Sequence, residues 1–419
     1  MHRKMIVAVV LGAALGVAAN LLAPGAAWVE TLAKDLAQPI GQLFIRLLFM
    51  IVVPMLFSAL VLGVSELELR QLGRMGAKML GYTVVVSAVA VVIGLVLVDL
   101  VGPGRGLPDE VRQLARQAGG AVKPVAAPAG DTVGAFVLAL VPDNPVKAAA
   151  TGDYVGLIFF ALFFGIALAL TDGEPARKLR EVLQGVYDVS MTVISIVLKL
   201  APLGVGCLLF VMTSRLGLAV VKPVLLYVLV VIAGLALHLF GVYSLSVRYL
   251  GGMSPRFFFQ GSRLAMLTAF STASSSATLP TALRVAEENL KLPRRVSRFV
   301  LTAGSAMNQN GSALFEGVTV LFLAQVYGVD LTVGQQIVAM SLCVLAGIGT
   351  AGIPTASIPF IAMILGIIGV PVEGVGLVLG VDRLLDMCRT TVNVMGDLAA
   401  AAFVAKGEPA GEVEAAPTA

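Results

Sequence analysis

Long runs without a formal charge constrain this chain more than any other feature. Met5 to Leu22, Thr83 to Val98 with its flanks, and Pro223 to Val247 are such windows. Each is long enough to cross a hydrocarbon core of about 30 Å as a helix. Composition supports the same reading, with 58% of the 419 residues hydrophobic and only 13% charged. A soluble domain carries about a quarter charged residues, so a water-facing surface cannot be assembled from this chain. The fold class expected is an all-α polytopic membrane protein. The opening Met1-His-Arg-Lys4 leads into a span read as retained rather than as a signal peptide. Cys207, Cys343 and Cys388 lie in apolar stretches, which argues against a disulfide framework, and no Cys/His spacing suggests a metal site. The net charge of +4 is assigned to cytoplasmic loops, not to nucleic-acid binding.

Spans are expected near 5–23, 36–64, 76–101, 131–170, 186–214, 219–249, 296–327 and 373–405. Two interrupted apolar regions lie near 257–289 and 333–370. The Gly/Pro/Ala-rich stretch 102–130 reads as an exposed loop and the tail 406–419 as disordered and cytoplasmic. Basic residues set orientation. Arg3 and Lys4, Arg70 to Lys78, Arg177 to Arg180, and Arg248 with Arg256 mark alternate loops as cytoplasmic. Lys291 to Arg298 form another basic loop just after the region 257–289, so that region enters and leaves by one face. By parity, 333–370 dips in from the opposite face. Two opposed hairpins are the trace of an inverted repeat with a mid-membrane site.

The first hairpin holds Ser271 to Pro280, whose serine run ending in proline is a poor continuous helix and suits a tip. Free N–H groups at a half-helix start would face an anion there. A serine-rich kink in an ordinary span is the alternative reading. The second, Gly347 to Pro354 followed by Ser357 and Pro359, has the same character, and the pair favours the hairpins. Between them, Asn308-Gln309-Asn310-Gly311 interrupts an apolar span, which implies unwound backbone lining a polar cavity rather than simple interhelical bonding.

Asp382, Asp386, Arg389, Asn393 and Asp397 fall on the last span. At 100° per residue they project at about 0, 40, −20, 20 and 60 degrees, a single stripe. Each intramembrane charge costs at least about 2.5–3.5 kcal/mol, so the stripe faces an interior polar path. Arg389 offers a fork that matches a carboxylate, and Asp386 can neutralise an ammonium. Asn393, Asp397 and Asn308 supply hard oxygens suited to a small alkali cation.

At these residues the chain resembles the dicarboxylate/amino acid:cation symporter family, which includes the excitatory glutamate transporters. The matching stretches are Arg46 to Pro54, Pro142 to Pro145, Ile158 to Phe160 and Ser274 to Pro280. They continue through Asn308 to Gly317, Ala351 to Pro354 and Asp386 to Asp397. The resemblance implies eight transmembrane helices, two re-entrant helical hairpins and the glutamate-transporter elevator fold in a homotrimer. It implies scaffold parts at 1–72 and 102–218 and transport parts at 73–101 and 219–405. The implied substrate is an acidic amino acid (L-glutamate or aspartate), carried by a non-enzymatic secondary symporter of the inner (plasma) membrane with both termini cytoplasmic. Na+ is the implied coupling ion, with H+ as a further candidate and no cofactor.

By resemblance, Arg389 would bind the side-chain carboxylate, Asp386 and Thr390 the amine, and Asn393 the α-carboxylate. Ser274, Ser275, Ser312, Ile353 and Ser357 would complete the pocket. One sodium site would use Gly304, Asn308, Asn393 and Asp397, and a second the carbonyls around Thr350. A third family site is depleted, because Asn310 stands where the family has an acidic residue and Val86 replaces a hydroxyl beside Ser87. Glu316 matches a proton-carrying glutamate of the family, and burial disfavours the charged form of a carboxyl. Rival readings are a C4-dicarboxylate symporter, which would lack Asp386, and a neutral amino acid symporter, which would lack Arg389. An intramembrane aspartyl protease lacks its Gly-x-Gly-Asp signature here, and a pump lacks its phosphate loop. A channel remains as a side activity.

Overall fold

A computed structural model of the chain describes residues 2–65, 73–107, 141–151, 153–349 and 357–406. Every regular element among these residues is helical. In chain order the helices used below are α1 (His2–Leu22), α2 (Gln38–Phe49), α3 (Val52–Ser65), α4 (Gly73–Val101), α5 (Tyr154–Leu170), α6 (Glu174–Leu216) and α7 (Val221–Ala236). They continue as α8 (Arg263–Thr272), α9 (Ser275–Arg284), α10 (Arg294–Met307), α11 (Asn310–Tyr327), α12 (Val333–Gly349), α13 (Ser357–Ile368) and α14 (Asp382–Ala405). The expected loop beyond residue 107, the start of the span near 131, and the tail after Lys406 lie outside the described residues.

Among the described residues, Ala27–Ser65, Arg74–Val101 and Gly217–Leu250 are long and apolar enough to cross a membrane. The bent pair Glu174–Val197 and Lys199–Arg215 makes a fourth. The other expected spans are shorter apolar helices, such as Val7–Leu22 and Gly156–Leu170, or are broken or charge-bearing. The bend of 52° in α6 has a local cause. Pro202 lacks an N–H and its ring displaces the carbonyl four residues back, at Leu198, where the two straight halves meet. Arg177, Lys178 and Arg180, expected in a loop, belong to the first turns of α6, which extends past the apolar stretch.

The surface inverts the pattern of a soluble protein. On α4, Val85, Val92, Val96 and Leu100 are exposed, whereas Tyr82, Val86, Ala90 and Val91 are buried. A helix that hides one apolar face and displays another has lipid as its outer solvent. Polar side chains collect inside instead. In α11 every residue except Gln325 is buried, including Asn310, Ser312 and Glu316. α11 is enclosed by α4, α7, α12, α13 and α14.

Two contacts between backbones join α1 to α6. A Cβ on Gly12 of α1 would strike the Gly206 carbonyl of α6, and one on Gly16 would sit 2.7 Å from the Phe210 carbonyl. Such small-residue seams let helices touch where lipid gives no hydrophobic drive to associate.

The serine-rich segment breaks where its helix start is capped, not at its proline. Ala273 takes the left-handed conformation (φ 50°) and ends α8. Ser274 is extended, and its hydroxyl accepts from the Ala277 N–H at 3.2 Å to cap α9. Pro280 then sits inside α9. The break falls within the Ser271–Pro280 stretch expected to form a tip; the side-chain cap supplies what the helix start needs, and the proline is carried within the following turns. Residues 350–356, where the tip of the second hairpin was expected, lie outside the described residues.

Candidate substrate and cation site

α14 runs through the polar interior and packs against α8, α9, α10 and α11. Its stripe forms as expected, and Asp382, Asp386, Arg389, Thr390, Asn393 and Asp397 are all buried. Arg389 is the largest side chain among the fully enclosed residues. Its Nε donates to Asp386 Oδ1 at 2.9 Å, and its Nη1 donates to Asp382 Oδ1 at 3.0 Å. Nη2 lies 2.9 Å from Asp386 Oδ1. The guanidinium rests over the Phe315 ring, 4.3 Å from its centroid. Of its five N–H groups, three point at the two aspartates, which leaves N–H groups on both terminal nitrogens for an incoming carboxylate. Asp386 is held from its other side by Arg383, whose Nη1 lies 3.7 Å from Oδ2.

One helical turn further along, the break between α10 and α11 meets α14. Asn308 (φ −109°, ψ 61°) and Gln309 (φ −96°, ψ 57°) leave helical geometry, as the amide run implied. Asn393 ties the break down. Its Oδ1 accepts from the Gly311 and Ser312 N–H groups at 2.7 and 3.3 Å, and its Nδ2 donates to Gln309 Oε1 at 2.5 Å and Ser312 Oγ at 3.1 Å. The free N–H groups at the start of α11 are thus satisfied by a side chain from another helix. Gln309 N–H also reaches the Gly347 carbonyl at 3.4 Å, linking the end of α12 to the break.

Asn308 turns away from that knot and donates from Nδ2 to Asp397 Oδ1 at 2.9 Å. Its own Oδ1 is buried without a partner. Gly304 lies flush against this pair, because a Cβ there would sit 2.5 Å from Asp397 Oδ1. A buried carboxylate beside an unsatisfied amide oxygen fits a hard cation. Only one carboxylate is present, and no group of three or more His, Cys, Asp or Glu that could hold a metal occurs among the described residues. The donor set therefore suits a monovalent ion. Asn393, assigned by resemblance to both substrate and sodium, bonds to Gln309 and Ser312, whereas Asn308 and Asp397 pair with each other.

Asn310 is committed at both ends. Ser87 Oγ donates to its Oδ1 at 2.6 Å, and its Nδ2 donates to the Tyr243 hydroxyl at 3.1 Å, which donates to the Val392 carbonyl at 3.0 Å. A Cβ on Gly396 would sit 2.5 Å from that hydroxyl, so glycine keeps the chain of bonds closed. Glu316 is fully buried and neither carboxyl oxygen has a hydrogen-bond partner. Ser357, whose hydroxyl is also unpartnered, the Cys343 thiol and the Arg389 charge are its neighbours.

Ser275 is buried at the start of α9, which packs on α14, while the Ser274 side chain serves as the cap described above. Ile353 and Thr350 lie outside the described residues. Two partners carried no sequence signal: Phe315 reads as another aromatic in an apolar run, and Arg383 falls off the stripe by its angle. Gln309 was visible within the amide run and Asp382 as a stripe member, neither with an assigned role.

Similarity to known proteins bears on these observations. The model of the sodium:dicarboxylate symporter family matches residues 1–407. The chain is 33% identical over 372 residues to the proton/sodium-glutamate symport protein of Bacillus caldotenax, covering 88% of this chain and 87% of the relative. It is 33% identical over 413 residues to the proton/glutamate-aspartate symporter of Escherichia coli (strain K12), covering 97% and 92%. It is 30% identical over 447 residues to excitatory amino acid transporter 3 of Mus musculus, covering 96% and 84%. With a buried guanidinium held between aspartates, a buried oxygen pair further along the same helix and a match along nearly its whole length, this chain belongs to the sodium:dicarboxylate symporter family.

Proposed function

We propose that the chain is a secondary-active symporter that takes up acidic amino acids, glutamate and aspartate, coupled to Na+, H+ or both. The observation that carries this reading is the Asp382–Arg389–Asp386 cluster, buried about two helical turns along α14 from the Asn308–Asp397 oxygen pair. A guanidinium with terminal N–H groups to spare can take a side-chain carboxylate, and Asp386 with Thr390 can receive an amine. The Asn393 Nδ2, a donor, suits an α-carboxylate that displaces Gln309. Ser275, Ser312 and Ser357, with Ser274 and Ile353 at the hairpin tips, complete the pocket in this reading. The proton/sodium-glutamate symport protein of Bacillus caldotenax and the proton/glutamate-aspartate symporter of Escherichia coli support the substrate class and both coupling ions.

Na+ is assigned to Gly304, Asn308 and Asp397, with Asn393 nearby, and a second ion to the tip around Thr350. The neutral bond chain through Ser87, Asn310 and Tyr243 occupies the position of a third ion, which favours a lower sodium count. Glu316, buried without a partner, is the proton carrier in this scheme. The same reading gives eight spans and two hairpins that enter from opposite faces, with both termini cytoplasmic in the plasma membrane. Residues 73–101 and 219–405 slide as a transport unit against 1–72 and 102–218 within a homotrimer. Uptake of labelled aspartate and glutamate into proteoliposomes, under separately imposed Na+ and pH gradients, tests the function. Accumulation driven by either gradient is the expected result, and no accumulation under both would reject it.

A further inference from the structure

Arg383 occupies a position that the reading above leaves without a task. Four charges meet at the start of α14: Asp382, Arg383, Asp386 and Arg389, two of each sign. Arg389, Asp382 and Asp386 have side chains only 2–3% exposed, whereas the Arg383 side chain is 28% exposed. Their contacts differ in kind. Arg389 is hydrogen-bonded to Asp386 Oδ1 at 2.9 Å, but Arg383 faces Asp386 Oδ2 across 3.7 Å, an ion pair without a closed hydrogen bond. One cation is locked in the interior, and the other reaches in from the more open side on a flexible stem.

We infer that Arg383 is a tethered counter-cation for Asp386, displaced by the ammonium of an amino acid substrate and left in place by a substrate without one. The inference rests on Asp386 being the amine site. Charge balance is the physical reason. With the site empty, Arg383 keeps the two buried aspartates matched by two guanidinium groups. An arriving ammonium replaces it at Oδ2, and Arg383 turns outward with its charge solvated, so the balance is unchanged. A dicarboxylate lacking the amine still meets a neutralised Asp386, because Arg383 stays. Arg383 therefore acts through Asp386 as a positioning residue that weakens amino acid binding by competition and permits amine-free dicarboxylates.

The test uses the full chain in proteoliposomes, with labelled aspartate uptake inhibited by unlabelled aspartate or by succinate. For Arg383→Gln, aspartate half-saturation is expected to fall about threefold and the succinate inhibition constant to rise about tenfold. Arg383→Lys keeps the charge and should hold the ratio of the two constants near that of the unaltered chain. Arg383→Ala serves as a second neutral variant. A ratio unmoved by both neutral variants, or constants that shift together, overturns the inference, as does an unaltered carrier indifferent to succinate. Absence of aspartate uptake by the unaltered chain is a different result, and it rejects the functional reading together with this one.

Discussion

The Arg389 guanidinium lies 4.3 Å from the centroid of the Phe315 ring, so the proposed substrate anchor is supported from below by an aromatic face. A desolvated contact of this kind is worth up to about 2 kcal/mol, and it also fixes the plane in which the fork presents its N–H groups. Phe315→Leu keeps the apolar volume and removes the face. Aspartate affinity, measured by isothermal titration or uptake competition, is expected to weaken by about tenfold while the protein remains folded.

Arg389 has a second consequence for stability. It is the hydrogen-bonded cation for two buried aspartates, so its loss leaves both without that partner. Removing one member of a buried ion cluster costs about 3–5 kcal/mol. Arg389→Ala should abolish acidic substrate uptake and also lower the thermal midpoint in detergent. Adding Asp382→Asn should recover part of the midpoint without recovering uptake. An unchanged midpoint in the single variant would show that the aspartates do not depend on this arginine.

Gly304 tests the cation pocket from the backbone side. Because a Cβ would sit 2.5 Å from Asp397 Oδ1, Gly304→Ala pushes the carboxylate off its bond with Asn308. The concentration of Na+ giving half-maximal uptake is expected to rise about tenfold or more, with a smaller change in substrate affinity at saturating Na+. Equal Na+ dependence in the two proteins would place the ion elsewhere.

Glu316 is the remaining buried acid near the fork, and its carboxyl oxygens are unpartnered. Glu316→Gln keeps the shape and cannot exchange a proton. Uptake under an imposed pH gradient is expected to lose its dependence on that gradient, while uptake driven by Na+ persists. A pH profile identical to that of the unaltered chain would remove Glu316 from the coupling scheme.

Much of this site was legible in the letters for one reason: a charge or amide inside an apolar run has few neutral interpretations. Asp386, Arg389 and Asp397 announced a polar face, and Asn308 to Asn310 announced a broken helix; both are present. Phe315 was invisible because an aromatic among Leu and Val looks like packing until a cation is found on its face. The break expected somewhere in Ser271 to Pro280 falls near the start of that stretch, at Ala273, where a serine cap was available, and Pro280 is carried inside α9. The bend in α6 was also missed, since Pro202 disturbs the carbonyl four residues before it and apolar residues continue on both sides of the bend. Local chemistry identifies which residues are unusual; which of two plausible breaks is used depends on capping and on neighbours from distant parts of the chain.

The glycine seam joining α1 to α6 has a mechanical meaning. Main chains that touch with no side chains between them have no compliant layer to absorb displacement, so one cannot glide along the other without collision. Any large excursion of the arginine-bearing helix must therefore find its slip plane elsewhere, where branched apolar side chains rather than bare backbone form the boundary.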